Sequence, residues 1–406
     1  MSSPVLTTLE AHRTRGGAFA LLLVATELAT MFVGALMPTP LYPLYRQAFA
    51  FSPVTLTLIY AVYVLGNLVA LLFFGRLSDQ IGRRSASLPA IGFGAASAAV
   101  FAAAAGTPWL FAARMLSGFS TGLAAGAATA WIAELYGGSG RGTAARIASA
   151  ANFFGCAAGP LFAGLLAQFA FWPLRLSFLV YLVLLGAIAG AICFAPETVT
   201  TRKRRFAELS LKPRLGVPQH IRLQFLSPAV TGFATFALIG FYGALIPNLL
   251  GESLHQPAPS VAGAAVCELF LAAAVTILVS GRVKSQGAML AGLALLPPSL
   301  WLLVVAQVAQ SMPIFLFATA LGGVSGGLGY RGSLEVINRI APADRRSETV
   351  SSYLIALFAG NSLPVIGIGL LSAATDSLVA HVAFAALITA LAAVAALTGV
   401  RYAPNE

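Results

Sequence analysis

The chain has 406 residues, of which 58% are hydrophobic and only 9% are charged. This composition excludes a soluble globular protein, because so few polar residues cannot cover a water-exposed surface of that size. The net charge of +11 does not indicate nucleic-acid binding, since the basic residues form short clusters between apolar runs and not one basic face or tail. The sequence therefore predicts an all-α integral membrane protein.

Twelve apolar segments, each about 19 to 30 residues long, are sufficient to cross a bilayer as helices. The predicted spans are 17–45, 55–75, 86–106, 108–136, 143–169, 174–195, 223–250, 259–281, 287–308, 312–337, 348–372 and 377–399. Because their number is even, both chain ends are predicted to lie on one side of the membrane.

The lysines and arginines predict which side this is. Most of the 24 basic residues lie in the two terminal segments and in alternate loops. The positive-inside rule then predicts that both termini are cytoplasmic, in a multi-pass protein of the cell (inner) membrane. The first apolar run is too long for the core of a signal peptide, so we expect it to remain as the first helix.

One long connection, 196–222, divides the spans into two sets of six. We predict an N-terminal six-helix bundle at 1–195, a cytoplasmic linker at 196–222 and a C-terminal six-helix bundle at 223–406. The two sets are weakly similar, because "AAGPLFAG" in the fifth span has a counterpart, "NSLPVIG", 204 residues later in the eleventh. A parallel repeat of this kind predicts two bundles related by a pseudo-two-fold axis.

The loop after the second span reads "GRLSDQIGRR", Gly75 to Arg84. Its glycines permit a sharp turn, and Asp79 beside basic residues can form a charge cluster at the membrane surface. The loop resembles the major facilitator signature G-x-L-[SA]-D-R-x-G-R-[RK], with Gln80 in place of the usual basic residue. The resemblance implies that this cluster latches the two halves together when the cavity faces outward, whereas a positive-inside anchor with one incidental acid is the plainer interpretation.

Three other segments of the first half resemble the same family. "ELYGGSGR" matches the E-x6-R pattern, which implies that Glu134 and Arg141 join Asp79, Arg83 and Arg84 in one cytoplasmic charge network. "PET", at 196–198, closes the sixth span as in many family members. "RMLSG", which begins at Arg114, resembles the family's fourth-helix motif.

The fifth span contains "GCAAGPLFAG", which places Gly155, Gly159, Pro160 and Gly164 at regular spacing. Glycines four residues apart open a groove for a neighbouring helix, and proline removes a backbone hydrogen bond and permits a bend. The segment resembles the G-x3-G-P-x3-G motif of family antiporters, although ordinary packing of small residues would produce the same pattern.

The clear cases of ionisable residues inside predicted spans are Glu27, Arg114, Glu268 and Arg331. An ionisable group in hydrocarbon is costly and usually faces a cavity or a partner. We expect Glu27, near the bilayer midplane, to carry a coupled proton with Arg114 tuning it, or else to be locked in an interhelical hydrogen bond. Glu268 lines the cavity or forms such a bond, and Arg331 binds substrate or pairs with Glu335 one helical turn away.

The sequence has no phosphate-binding loop of the G-x4-G-K-[ST] type and no metal-ligand spacing, so we expect neither enzymatic activity nor a cofactor. The family resemblance is to the 12-helix drug:proton antiporter branch. It implies a proton-coupled secondary transporter that exports small amphipathic or drug-like molecules, with a proton-coupled symporter or exchanger of a small, possibly anionic metabolite as the alternative. A sensor or scaffold without transport is a third class. The expected partners are substrate, protons and membrane lipid, with no nucleic acid, and the protein is expected to be a monomer.

Overall fold

The protein is described by a computed structural model that covers residues 4–137, 141–200 and 215–402, with side chains from residue 17 onwards except that of residue 141. Twelve long helices lie within these ranges. They are α1 (Pro4–Leu36), α3 (Pro53–Phe74), α5 (Arg83–Ala102), α6 (Thr107–Tyr136), α7 (Arg141–Phe169), α8 (Leu176–Ile192), α9 (Arg222–Ala244), α11 (Pro259–Val279), α12 (Ser285–Val308), α13 (Met312–Ile340), α14 (Arg346–Ala374) and α15 (Ser377–Arg401). Three short helices connect them: α2 (Tyr42–Phe49), α4 (Leu77–Ile81) and α10 (Ile246–Glu252).

The twelve long helices confirm the predicted all-α membrane fold and follow the predicted spans in order. Within the described ranges, ten helical segments are long and apolar enough to cross a membrane. The remaining two long helices are α6, which combines Arg114 with many small residues, and α8, which has 17 residues. The small residues of α6 suit close packing against neighbouring helices, whereas α8 is strongly apolar and only one residue shorter than the 18 required.

Two predicted spans are each divided into a long helix and a short one. The span predicted at 17–45 stops at Leu36 and continues as α2, and the span predicted at 223–250 stops at Ala244 and continues as α10. Prolines near both breaks explain the difference, because proline removes a helix hydrogen bond and clashes with the preceding turn. The breaks occur at equivalent places in the two halves, as the sequence repeat requires.

The two halves meet along two helix pairs, α7 with α11 and α3 with α14. Glycines allow the backbones to approach closely at these seams and inside each half. A β-carbon at Gly159 would lie 2.2 Å from the Val33 carbonyl oxygen, and one at Gly164 would lie 2.4 Å from the Pro259 carbonyl oxygen. Helix α7 therefore packs on α1 in its own half and on α11 in the other.

We call the side that carries both chain ends the terminal face and the opposite side the distal face. On the distal face, Thr39 donates a hydrogen bond of 2.8 Å to the Gly243 carbonyl, and these residues are 204 positions apart, the offset of the sequence repeat. Arg46 on α2 lies 3.5 Å from Glu252 on α10. The Ser260 amide donates to the Gln168 side chain at 3.2 Å. These contacts between the halves close the distal face.

The close approach at Gly155 generates a testable prediction. A β-carbon there would lie 2.1 Å from the Ala29 carbonyl oxygen, whereas a β-carbon at Gly186 would meet nothing within 4 Å. Gly155→Ala should therefore lower the stability by about 1–3 kcal/mol, which a reduced apparent melting temperature of the purified protein would show. Gly186→Ala is the matched control and should leave that temperature unchanged or slightly higher. Equal melting temperatures for the two variants would contradict the packing of α7 on α1.

Candidate transport site and charge network

The guanidinium of Arg114 lies buried near the distal end of the first half. Its Nη1 donates to the Ala35 carbonyl oxygen at 2.5 Å. The guanidinium carbon lies 4.4 Å from the ring centre of Tyr63 and 5.3 Å from that of Tyr60, which are cation–π distances. Within the described residues, Nε and Nη2 have no hydrogen-bond partner. A buried cation with two unused donors is a candidate anion-binding group.

We define the arginine site as Arg114 with Tyr42, Tyr60 and Tyr63. The hydroxyl of Tyr42 is also buried and has no hydrogen-bond partner among the described residues. The hydroxyl of Tyr60 donates to Oδ1 of Asn361 on α14 at 3.1 Å. The site therefore belongs to the first half but reaches the second half through one hydrogen bond.

A polar network continues from the arginine site toward the terminal face. Thr121 donates to the Tyr63 hydroxyl at 3.1 Å, and the Asn67 amide nitrogen donates to Thr121 at 3.1 Å. In the described part of the chain, Oδ1 of Asn67 is buried and unpaired. Sequence reasoning missed Asn67 and the tyrosines, because one sequence does not show which side each helix presents to its neighbours.

Glu27 lies on α1, fully buried. Ser87 of α5 lies next to its carboxyl group, but within the described ranges neither carboxyl oxygen nor the serine hydroxyl makes a hydrogen bond of ordinary geometry. Ala35, the partner of Arg114, comes eight residues after Glu27, which is about 12 Å along the helix. The structure therefore does not bring Glu27 and Arg114 into contact.

The other two intramembrane charges lie elsewhere. Arg331 donates to the Val283 carbonyl at 2.7 Å, and its Nη1 lies 3.7 Å from Glu335, so the predicted pair within one helix is formed. Glu268 is half-buried and lines a groove on the outside of the helix bundle. The four predicted charges therefore occupy four separate environments.

The predicted charge network forms around Arg83, which is 5% exposed. Its Nη1 donates to Asp79 at 2.5 Å and to the Ser78 hydroxyl at 2.7 Å. On its other side, Nε donates to Glu134 at 3.1 Å. The guanidinium thus joins α4, α5 and α6.

The remaining members of the predicted network differ. The Arg84 side chain donates to the Cys193 carbonyl at the end of α8 and not to the acids. The side chain of Arg141 lies outside the described residues. The partners of Asp79, Arg83 and Glu134 named above all belong to the first half, so a latch between the halves stays a prediction.

The "PET" segment completes this network in a way that sequence reasoning missed. The carboxylate of Glu197 accepts hydrogen bonds from the backbone amides of Arg83, at 2.8 Å, and Arg84, at 3.2 Å. These amides are among the unsatisfied donors at the N-terminus of α5, where a negative charge is favourable. Thr198 donates to Glu134. The signal available in the sequence was an acidic residue directly after an apolar span. The sequence did not show that this residue lies beside the start of α5.

Arg83 supplies a prediction about stability. Arg83→Gln should lower the unfolding free energy by about 1–3 kcal/mol, because it leaves two carboxylates without their cation, although both are partly exposed to solvent. The measurement is the apparent melting temperature of the purified protein. Arg76→Gln, at an exposed position of the same loop, is the control and should change little. If both variants lower the melting temperature equally, the effect comes from the total charge of the loop and not from the hydrogen bonds of Arg83.

Comparisons with known proteins agree with this architecture. No curated protein sequence matches the chain. The fold is similar to that in the crystal structure of a bacterial homolog to the human lysosomal transporter Spinster, in an inward-facing and unoccupied conformation. The TM-score is 0.71 and the sequence identity is 16%, and the match covers 95% of this chain and 98% of that chain. Residues 20–283, well over half of the sequence, match the Major Facilitator Superfamily. The chain therefore belongs to the Major Facilitator Superfamily of membrane transporters.

Proposed function

We propose that the protein is a proton-coupled secondary transporter that moves small amphipathic molecules with an anionic group across the membrane by alternating access. The observation that carries this proposal is the buried guanidinium of Arg114, whose Nε and Nη2 have no partner among the described residues. Of the two substrate classes expected from sequence, this observation favours the anionic one.

The chemistry of the arginine site supports an anion with an apolar body. A buried cation without a counter-ion is costly, and a bound carboxylate, sulfonate or phosphate would supply acceptors for the unpaired nitrogens Nε and Nη2. The rings of Tyr60 and Tyr63 lie against the guanidinium and offer apolar faces to the rest of the ligand. Sites for small molecules commonly combine apolar walls with a few polar groups in this way.

The same site connects ligand binding with the movement of the halves. The Tyr60 hydroxyl bonds to Asn361 of the second half, so a ligand that engages this hydroxyl changes a contact between the halves. A ligand shifts a conformational equilibrium only through contacts that differ between the two states. The bond between Tyr60 and Asn361 joins the two halves, and it is the contact that we propose to differ between the two states.

Glu27 is the residue that we propose for proton coupling. Its carboxyl group is fully buried and has no cation partner among the described residues. An ionised carboxylate in such surroundings is costly, so the protonated form is expected in this conformation and the proton would leave when water reaches the site. Export is the direction implied by the resemblance of 155–164 to the antiporter motif, and it also belongs to the proposal.

Arg114 can be tested by ligand stabilisation. Octanesulfonate, a permanently charged amphipathic anion, should raise the melting temperature of the wild-type protein. Arg114→Gln should raise the octanesulfonate concentration needed for half of this effect at least tenfold. Arg114→Lys should retain part of the effect, because lysine keeps the charge but not the planar pair of donors. Arg175→Gln, at an exposed arginine, is the control. If the glutamine variant at 114 responds like the wild type, or if octyltrimethylammonium stabilises better than octanesulfonate, the anion proposal is wrong.

Proton coupling can be tested in proteoliposomes that contain a pH-sensitive dye. A gradient of octanesulfonate should move protons through the wild-type protein, whereas Glu27→Gln should abolish this proton movement and keep octanesulfonate binding. Glu348→Gln, at a partly exposed acid outside both proposed sites, should behave like the wild type. Proton movement of normal rate in Glu27→Gln would assign Glu27 to a structural role, and the sign of the movement distinguishes exchange from symport.

A further inference from the structure

A groove of about 600 Å³ opens on the side of the molecule between α7, α11 and α13. We call it the lateral groove. Its lining includes Leu161, Cys267, Glu268, Leu271, Val275 and Val324. Leu271 and Val275 are more than 40% exposed, and a surface this apolar on a helix that crosses the bilayer faces lipid. No residue of the arginine site lines the groove, so the two sites are separate, and we infer from the exposed apolar wall that the groove opens toward the membrane.

Glu268 is the one charged residue among those that line the lateral groove. Two titratable groups, Tyr242 and Cys267, lie close enough to interact with its charge. The hydroxyl of Tyr242 shares a hydrogen bond of 2.8 Å with the hydroxyl of Thr319. Within the described part of the chain, no lysine or arginine forms an ion pair with Glu268. The groove thus presents a carboxyl group to a space that contains no cation of the described chain.

The depth of Glu268 limits what can occupy the groove. Helix α11 has 21 residues, and Glu268 is nine residues after Pro259, which places it about 14 Å from the distal end of the helix. This position is near the middle of a hydrocarbon layer that is about 30 Å thick. The headgroup of a resident lipid stays at the membrane surface, so a polar group that meets Glu268 belongs to a molecule that enters the groove from within the bilayer.

We propose that the lateral groove binds amphipathic amines, with the ammonium group paired to Glu268 and the alkyl chain along the apolar wall. An isolated carboxylate is costly in hydrocarbon, and an ammonium partner offsets that cost. The volume is in the range of pockets that hold drug-sized molecules. This site is independent of the anion recognition proposed for Arg114.

The groove also lies across the seam between the halves. Leu161 belongs to α7 of the first half, whereas the other lining residues belong to α11 and α13 of the second. The two helices at the seam approach closely, since a β-carbon at Gly263 would lie 2.3 Å from the Pro160 carbonyl oxygen. Rocking of the halves changes the distance between the walls, so binding in the groove responds to the conformation of the transporter.

The test is equilibrium binding of radiolabelled dodecyltrimethylammonium to the purified full-length protein in lipid nanodiscs, with empty nanodiscs subtracted. The wild type should bind saturably. Glu268→Gln, which keeps the shape and removes the charge, should raise the dissociation constant at least tenfold, and Glu268→Asp should stay within a few-fold of the wild type. Val324→Trp, which fills the groove, should also weaken binding, and dodecyl sulfate should not compete.

Two outcomes would overturn the proposal. The first is an unchanged affinity in a folded Glu268→Gln protein, with folding checked by melting temperature. The second is loss of dodecyltrimethylammonium binding in Arg114→Gln, which would place the probe at the arginine site. Because Arg114→Gln is expected to lose octanesulfonate and keep dodecyltrimethylammonium, failure of the groove and failure of the proposed anion site give different results.

Discussion

In the hydrocarbon layer of a membrane, a charge without a partner is costly, and the charges of this protein are arranged accordingly. At the membrane surface, Arg83 of α5 donates to acceptors on two other helices, α4 and α6. Inside the bundle, Arg114 and Glu27 remain incompletely paired within the described residues. The charge of Arg83 joins neighbouring helices, whereas Arg114 and Glu27 are the groups that we propose for ligand and proton binding.

Small residues let the helix backbones touch. Helices that slide or tilt against each other need such contacts, because bulky interdigitating side chains would block the movement. Helix α7 meets α1 at Gly159 and α11 at Gly164. In the second half, Gly360 meets the Phe233 carbonyl on α9, and Gly369 meets Thr57 on α3. Each half thus uses one helix, α7 or α14, to contact both its own first helix and the opposite half, which is what a pseudo-two-fold arrangement of two bundles requires.

The sequence was sufficient for most of the fold, because apolar length and loop charge depend on the bilayer and not on details of packing. It did not predict the breaks at Leu36 and Ala244, since an apolar run continues through both of them. The charge network around Arg83 was predictable from a family signature. The role of Glu197 was not, because it depends on where the end of α8 lies relative to α5. Likewise, the separation of Glu27 from Arg114 reflects the relative depth of two helices, which single-sequence reasoning did not provide.

The hydrogen bond between Thr39 and Gly243 joins positions that correspond to each other in the two repeats. Corresponding positions that touch must lie beside the pseudo-symmetry axis that relates the two halves. One neutral hydrogen bond contributes only about 1 kcal/mol, and the Arg46–Glu252 pair is too exposed to contribute much more. The distal face is therefore joined at its centre by weak polar bonds, so little polar bonding opposes a separation of the two halves at that point.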